Sequence, residues 1–143
     1  HQGNHRPVTL IFSKERDKNS IKEALFDGRT VVWFENLLIG EERNIIPLLE
    51  SVLTIDSAVY KDNPSILNLT ISNQSDARMQ INNLSEYTFM SNHDFIEIPQ
   101  NSSVELSVKT KNNLQEIEMD FEVFNALISP KTHPILTLKS IIQ

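Results

Sequence analysis

Histidine and carboxylate side chains near the N-terminus are the first candidates for metal chemistry. His1 and His5 are followed by Asp17 and Asp27, but a metal site needs several converging ligands that neighbouring groups hold in place. No HxH, HExxH or DxH spacing occurs anywhere in the 143 residues. We therefore predict no catalytic residue and no metal ligand in this sequence, and we assign these side chains structural or incidental roles.

Acidic residues alternate with apolar ones late in the chain. Glu116, Glu118, Asp120 and Glu122 share one face of a predicted strand, and together they could offer oxygens to Ca²⁺, which takes six to eight of them. Positions two apart on a strand are separated by ~6.5–7 Å, which is too far for all four to share one ion. The pattern therefore favours a solvated outer face that discourages edge pairing.

Candidates for an interaction site lie in the first forty residues: His5, Arg6, Arg29, Trp33, Glu35 and Asn36. In a parallel α/β unit, ligands collect where the strands end. Glu35 and Asn36 follow a predicted strand, whereas Arg29 precedes it, so a structural salt bridge or a carbonyl contact is the default for Arg29. Trp33 is the single tryptophan, and in an apolar strand it is more typical of a core than of a ligand platform.

Composition excludes several classes of protein. The chain has no cysteine, which rules out disulfide frameworks, thiolate zinc sites and cysteine nucleophiles. Residues 53–143 carry 6 Lys and Arg against 11 Asp and Glu, and this acidity disfavours nucleic acid and anionic membrane surfaces as partners. No apolar run approaches the ~20 residues that span a bilayer, and no signal-peptide pattern opens the chain.

The first forty residues predict a strand, a helix and a second strand. Apolar runs at 8–13 and 30–34 flank a helix in which Ser20 and Glu23 have capping-box spacing and Gly28 supplies a left-handed C-terminal cap. The short connections favour a right-handed parallel crossover. The second strand lacks polar alternation, so we expect both of its faces to be covered.

A second helical region is predicted at 37–53, where Pro47 interrupts an apolar stripe. Because proline removes an intrahelical donor, we expect a kink, or two short helices that meet near 44–47. From residue 53 the apolar period changes from ~3.6 to 2, with turn signals between seven or eight short runs.

These short runs predict an antiparallel Ig-like β-sandwich at 53–143. A slip in the apolar phase at Val123 and Phe124 predicts a bulge or a strand that changes sheets. The predicted fold class is α+β, with an N-terminal β-α-β fragment, a kinked helical linker and then the sandwich.

Five strings carry a resemblance to a known family: H-R-P-V-T-L at 5–10, K-E-R at 14–16, S-I-K-E-A-L at 20–25, G-R-T-V-V at 28–32 and N-L-L-I-G at 36–40. They resemble the closing segment of bacterial PHP-type metal-dependent phosphoesterases, and more narrowly a phosphodiesterase group that carries a C-terminal β-domain. The later strings LNLTISNQSDARMQINNLSEYTF and FEVFNALISPKTHPILTL also resemble the tail of that group.

The resemblance implies a hydrolase with a distorted (β/α)₇ barrel that binds two or three divalent metals of the Mn, Zn, Mg or Fe type. Such metals polarise a phosphoryl oxygen and activate water. The HxH and DxH motifs of the family would lie before residue 1, so the resemblance implies no cofactor in this segment and no activity when it is alone. It places the parent protein in the periplasm or outside the cell, and it leaves the cytoplasm open.

The resemblance also bears on four tripeptides that match glycosylation acceptors, which begin at Asn68, Asn73, Asn83 and Asn101. Asn68 falls within a predicted strand, and in a bacterial protein we expect these tripeptides to serve turn chemistry only.

The sequence is therefore interpreted as three segments: 1–40 is the last β-α-β piece of a PHP-like barrel, 41–52 is a helical linker, and 53–143 is a β-sandwich accessory domain. The predicted role is structural, beside a PHP catalytic domain in the same chain or in a homo-oligomer. An apolar, exposed face on the two N-terminal strands would favour it. The alternative is a module that binds carbohydrate, lipid or protein through a concave face with clustered aromatics. A self-standing enzyme is a third hypothesis.

Overall fold

The computed structural model describes residues 7–143. Its elements in chain order are β1 (Val8–Ile11), α1 (Lys18–Phe26), β2 (Thr30–Phe34), β3 (Leu37–Gly40), α2 (Glu42–Val52), β4 (Leu53–Tyr60), β5 (Ile66–Asn73), β6 (Met79–Asn83), β7 (Thr88–Phe89), β8 (Phe95–Ile98), β9 (Ser102–Lys109), β10 (Glu116–Val123), β11 (Ala126–Leu127) and β12 (Ile135–Ile141). The described strands form three four-stranded sheets, in the orders β1-β2-β3-β11, β4-β5-β9-β7 and β12-β10-β6-β8.

The second and third sheets share one hydrophobic core and form the predicted antiparallel sandwich. In β10, Ile117, Met119, Phe121 and Val123 are buried, while the intervening acidic residues face outwards. Each buried aliphatic or aromatic side chain contributes ~1.5–3 kcal/mol of transfer free energy. The α+β fold class with an Ig-like sandwich is confirmed.

The acidic residues of β10 lie beside β12, which supplies partners for two of them. The Glu118 carboxylate lies 3.7 Å from Lys139 Nζ, and Thr137 Oγ1 donates a 2.6 Å hydrogen bond to Asp120. The acidic face of β10 is solvated, as its alternation of acidic and apolar residues predicts.

The phase slip after Val123 marks the point where the chain changes sheets. Beyond the turn, β11 leaves the sandwich and pairs in parallel with β3, with Ala126 beside Leu38 and Leu127 beside Ile39. Of the two alternatives that the sequence left open, the structure therefore shows the change of sheet, and this pairing joins the N-terminal strands to the sandwich.

The parallel crossover predicted for the first two strands is wrong. β1 and β2 are antiparallel neighbours, with Val8 opposite Trp33 and Ile11 opposite Thr30. The Phe12 amide also donates to the Arg29 carbonyl at 2.9 Å. The connection after β1 and the nine-residue helix α1 together return the chain to the end of β1. Strand β2 therefore begins beside Ile11 and runs back along β1.

Helix α1 begins three residues earlier than the capping-box prediction. Its N-cap is Asp17, whose Oδ1 accepts from the Ser20 amide at 2.7 Å, and this hydrogen bond lowers the pKa of Asp17. The C-terminal cap prediction is confirmed. Gly28 has φ 68°, and the Arg29 amide donates to Ala24 O at 2.9 Å while the Gly28 amide donates to Leu25 O at 3.2 Å, which is the Schellman pattern.

The prediction of a helix at 37–53 is wrong for the first four residues. Leu37–Gly40 form β3, which is joined to β2 by the two-residue turn Glu35-Asn36. The remainder is one helix, α2, which continues through Pro47, so the alternative of two short helices is also wrong. The helix loses one hydrogen bond at Pro47 and stays in place because Ile45 and Leu49 are buried.

Two of the Asn-x-Ser tripeptides form the same turn at the ends of β5 and β6. Asn73 Oδ1 accepts from the amide and the hydroxyl of Ser75, and its Nδ2 donates to Ala77 O at 2.8 Å. Asn83 repeats this arrangement with Ser85, and its Nδ2 donates to Tyr87 O at 2.8 Å. Both amide nitrogens are therefore committed to turns.

Candidate interaction surface

The N-terminal sheet has an inner face that is covered by α2. The register places Leu10, Val31, Trp33 and Leu38 on this face. A Cβ added to Gly40 would lie 3.1 Å from Val31 Cγ2 and 3.4 Å from Ile45 Cγ1. A side chain at this position would therefore push its neighbours on β2 and α2 apart by a few tenths of an ångström.

The opposite side, which we call the outer face, consists of Thr9, Ile11, Thr30, Val32, Phe34, Leu37, Ile39 and Leu127. None of these eight positions carries a charge. Ile11 and Phe34 are each 39% exposed and Ile39 is 41% exposed. The sequence predicted cover on both faces of β2. On the inner side Val31 is buried and Trp33 is half-buried, whereas on the outer side Phe34 is exposed.

Trp33 lies on the inner face, at the junction with the sandwich. It borders a cavity of about 90 Å³ together with Leu48 and Val52 from α2 and Met79 from β6. Its Nε1 is buried and has no hydrogen-bond partner within residues 7–143. This placement agrees with the core role that is typical of a tryptophan in an apolar strand.

Glu35 and Asn36 form the turn between β2 and β3. Glu35 is exposed and has φ 56°, a conformation that costs a non-glycine residue about 1–3 kcal/mol. Asn36 exchanges two hydrogen bonds with the Arg78 backbone: its Nδ2 donates to the carbonyl at 2.8 Å and its Oδ1 accepts from the amide at 2.7 Å. The Asn36 side chain therefore makes an intramolecular contact.

Asn125 completes this joint from the sandwich side. Its Nδ2 donates to Asn36 O at 3.3 Å, and its Oδ1 accepts from the Gln80 amide at 3.0 Å. The Asn125 carbonyl also accepts from the Leu38 amide at 2.9 Å. The outer face is thus held in a fixed orientation on the sandwich.

Arg29 lies between two carboxylates at the end of α1. Its Nη2 is 3.6 Å from Glu23 Oε1 and 3.5 Å from Asp27 Oδ2, which is the structural ion pair expected by default. Nε and Nη2 have no partner within hydrogen-bond geometry in the described part of the chain, so the contact is electrostatic.

Two predicted interaction residues, His5 and Arg6, lie outside the described residues. Within 7–143, no set of three or more His, Cys, Asp or Glu side chains is placed to hold a metal ion. In the same range, neither helix is long and apolar enough to cross a membrane.

The geometry can be compared with known proteins. The Ig-like domain family DUF5001 matches residues 53–139, which is more than half of the chain. The chain belongs to this family of Ig-like domains. The match begins at Leu53, the first residue of β4, so the Ig-like domain excludes both helices and the outer face apart from Leu127.

The chain is also similar to a solved structure that extends beyond the Ig-like domain. That crystal structure is of a two-domain protein containing a predicted PHP-like metal-dependent phosphoesterase from Bacteroides vulgatus ATCC 8482, with 25% sequence identity and a TM-score of 0.80. The similarity covers 96% of this chain and 40% of that chain, so it includes most of the segment that precedes the Ig-like domain. The predicted resemblance is confirmed. No curated protein matches the chain.

Sequence reasoning missed two kinds of residue. Leu37 and Ile39 were assigned to a helix, although a two-residue polar interval between apolar runs is a hairpin signal that could have identified them. It also missed an aromatic cluster on the Ig-like domain, where the Phe95 and Phe124 rings stack at 5.8 Å and His133 meets Phe124 edge-on at 5.3 Å. His133 Nδ1 donates to Ala126 O at 2.8 Å.

Proposed function

We propose that this chain is the non-catalytic accessory region at the C-terminal end of a PHP-type metal-dependent phosphodiesterase. The observation that carries the proposal is the similarity to a two-domain protein, of which the chain accounts for 40%. The remainder of such a protein has room for a catalytic domain before residue 1. The accessory region would hold that domain in place or mediate its assembly.

The antiparallel pairing of β1 and β2 refines the proposed domain arrangement. Strands in the wall of a (β/α) barrel run parallel, whereas these two run antiparallel. We therefore propose that segment 1–40 lies against the barrel as an added sheet, that 41–52 is the linker, and that 53–143 is the accessory sandwich.

The chemistry in this proposal belongs to the catalytic domain. Its divalent metals would polarise a phosphoryl oxygen and lower the pKa of a bound water. In this proposal the role of the chain is to position that domain. We propose a periplasmic or secreted location for the parent protein, which cell fractionation would test.

An assay of this 143-residue chain tests the proposal. The chain is incubated with bis-p-nitrophenyl phosphate and Mn²⁺, Mg²⁺, Zn²⁺ or Fe²⁺, and we expect no hydrolysis above that of the metal alone. The reading frame before residue 1 should encode HxH and DxH motifs. Turnover by the chain itself, or an unrelated domain before it, would contradict the proposal.

The aromatic cluster favours a second candidate function, which is carbohydrate binding by the Ig-like domain. Phe95 is 47% exposed and stacks on Phe124, so the pair offers an apolar surface to a sugar ring. Affinity electrophoresis in gels that contain polysaccharide should retard the chain, and Phe95→Ala should abolish the retardation. Equal mobility in gels with and without polysaccharide would remove this candidate.

A further inference from the structure

The N-terminal sheet is apolar on both faces, which is unusual for an antiparallel sheet. Such sheets commonly place one face on a core and the other in water, with polar residues on the wet side. The β10 strand follows that rule, with acidic residues facing outwards. The outer face of the N-terminal sheet does not follow it, because its eight residues are two threonines and six aliphatic or aromatic residues.

The exposed apolar side chains are concentrated in this part of the chain. Within residues 7–143, seven of the twelve large hydrophobic residues that are exposed lie between residues 8 and 39. Three of them, Ile11, Phe34 and Ile39, lie on the outer face. Large apolar side chains that are exposed together on one face of a sheet are typical of an interaction site.

We infer that the outer face is the surface on which the catalytic domain docks within the longer protein. This inference rests on the proposed function, because the proposed function supplies the occupant: a catalytic domain that precedes residue 1 in the longer protein. That domain would join the chain a few residues from β1, whose Thr9 and Ile11 begin the face. A short tether gives the docking partner a high effective concentration, which favours this occupant over a second copy of the chain.

The orientation of the face also suits docking. The joint made by Asn36 and Asn125 fixes the sheet on the sandwich, so the face is presented as a rigid platform. A rigid surface loses less conformational entropy on association than a mobile one. The sandwich thereby supports the interface and contributes Leu127 to it.

Hydroxyl-radical footprinting tests the inference, because it measures the solvent accessibility of individual side chains. The 143-residue chain is compared with the longer protein that includes the catalytic domain. Phe34 and Ile39 should be oxidised several-fold more slowly in the longer protein. Phe95 and Ile135, which are 47% and 55% exposed on the sandwich, are matched internal controls and should be oxidised equally in both.

The outcomes separate the inference from the proposed function. Metal-dependent hydrolysis by the longer protein with unprotected Phe34 and Ile39 would overturn the docking surface and leave the function standing. A longer protein without metal-dependent hydrolysis would overturn the function and the inference with it. Protection that appears in the 143-residue chain as its concentration rises, together with a dimer in sedimentation, would overturn the choice of occupant.

Discussion

Asn36 and Arg78 are 42 positions apart in sequence and exchange two hydrogen bonds, with lengths of 2.7 and 2.8 Å. The Asn36 side chain pairs with the Arg78 backbone as a neighbouring strand would. This pair joins the turn between β2 and β3 to the segment that precedes β6. It explains how a small sheet outside the Ig-like domain keeps a defined orientation on it.

Removal of the Asn36 amide should destabilise the chain. Asn36→Ala loses both hydrogen bonds, and each contributes ~0.5–1.5 kcal/mol net, so we expect the free energy of unfolding to fall by about 1–3 kcal/mol. Asn36→Asp keeps an acceptor for the Arg78 amide and should lose less. Urea denaturation measures both changes, and a stability of Asn36→Ala equal to that of the wild type would contradict the joint.

The left-handed conformation of Gly28 makes it sensitive to substitution. Its φ is 68°, and a Cβ in that region costs ~1–2 kcal/mol. Gly28→Ala should therefore lower the free energy of unfolding by about that amount. Gly28→Asn is the matched control, because asparagine tolerates this conformation better; an equal loss for the two variants would indicate a steric rather than a conformational cause.

Asp17 should make the first turn of α1 sensitive to pH. The hydrogen bond from the Ser20 amide lowers its pKa from the ordinary 3.8. Because the folded-state pKa lies below the unfolded value, the charged cap stabilises the helix above pH ~4, and this contribution is lost as the pH falls through the lowered pKa.

NMR can follow this cap directly through the Ser20 amide resonance. The resonance should titrate with a midpoint below 3.8 in the wild type. It should not titrate in this range in Asp17→Asn, which keeps an acceptor oxygen. A midpoint above 3.8 would show that Asp17 does not cap the helix.

Tyr60 fixes the loop between β9 and β10. Its hydroxyl lies 2.8 Å from Thr110 Oγ1, donates to Asn112 O at 3.2 Å and accepts from the Leu114 amide at 3.1 Å. Tyr60→Phe leaves these partners unsatisfied, so we expect a loss of about 1–3 kcal/mol in thermal or urea unfolding. Faster amide exchange at Leu114 should accompany the loss, and unchanged exchange there would argue against the role.

The sandwich could be predicted because its signal is local. Ile117, Met119 and Phe121 alternate with acidic residues, and only a half-buried strand gives that period. The pairing direction of β1 and β2 could not be read in this way, because either direction buries the same apolar side chains. It depends on where α1 returns the chain.

The errors in the N-terminal segment have local physical causes. Ser20 has the right spacing for a capping box, but Asp17 lies three residues earlier and supplies the carboxylate that accepts from Ser20. Leu37 and Ile39 continue an apolar stripe, and only the pairing of β3 with β2 and β11 decides that they are in a strand. Leu37 and Ile39 form part of the docking surface. Because they were assigned to a helix, the sequence predicted the apolar strands β1 and β2 but not the outer face that these strands share with β3.

Isothermal titration of the 143-residue chain into the separately produced catalytic domain tests the central claim most directly. We predict saturable binding with 1:1 stoichiometry. The heat-capacity change of binding should be negative, because apolar surface is buried. The double variant Phe34→Glu/Ile39→Glu should lose this binding, and Ile135→Glu should retain it. Binding that the double variant retains in full, or no binding to a catalytic domain that still hydrolyses phosphodiesters with metal, would contradict the account.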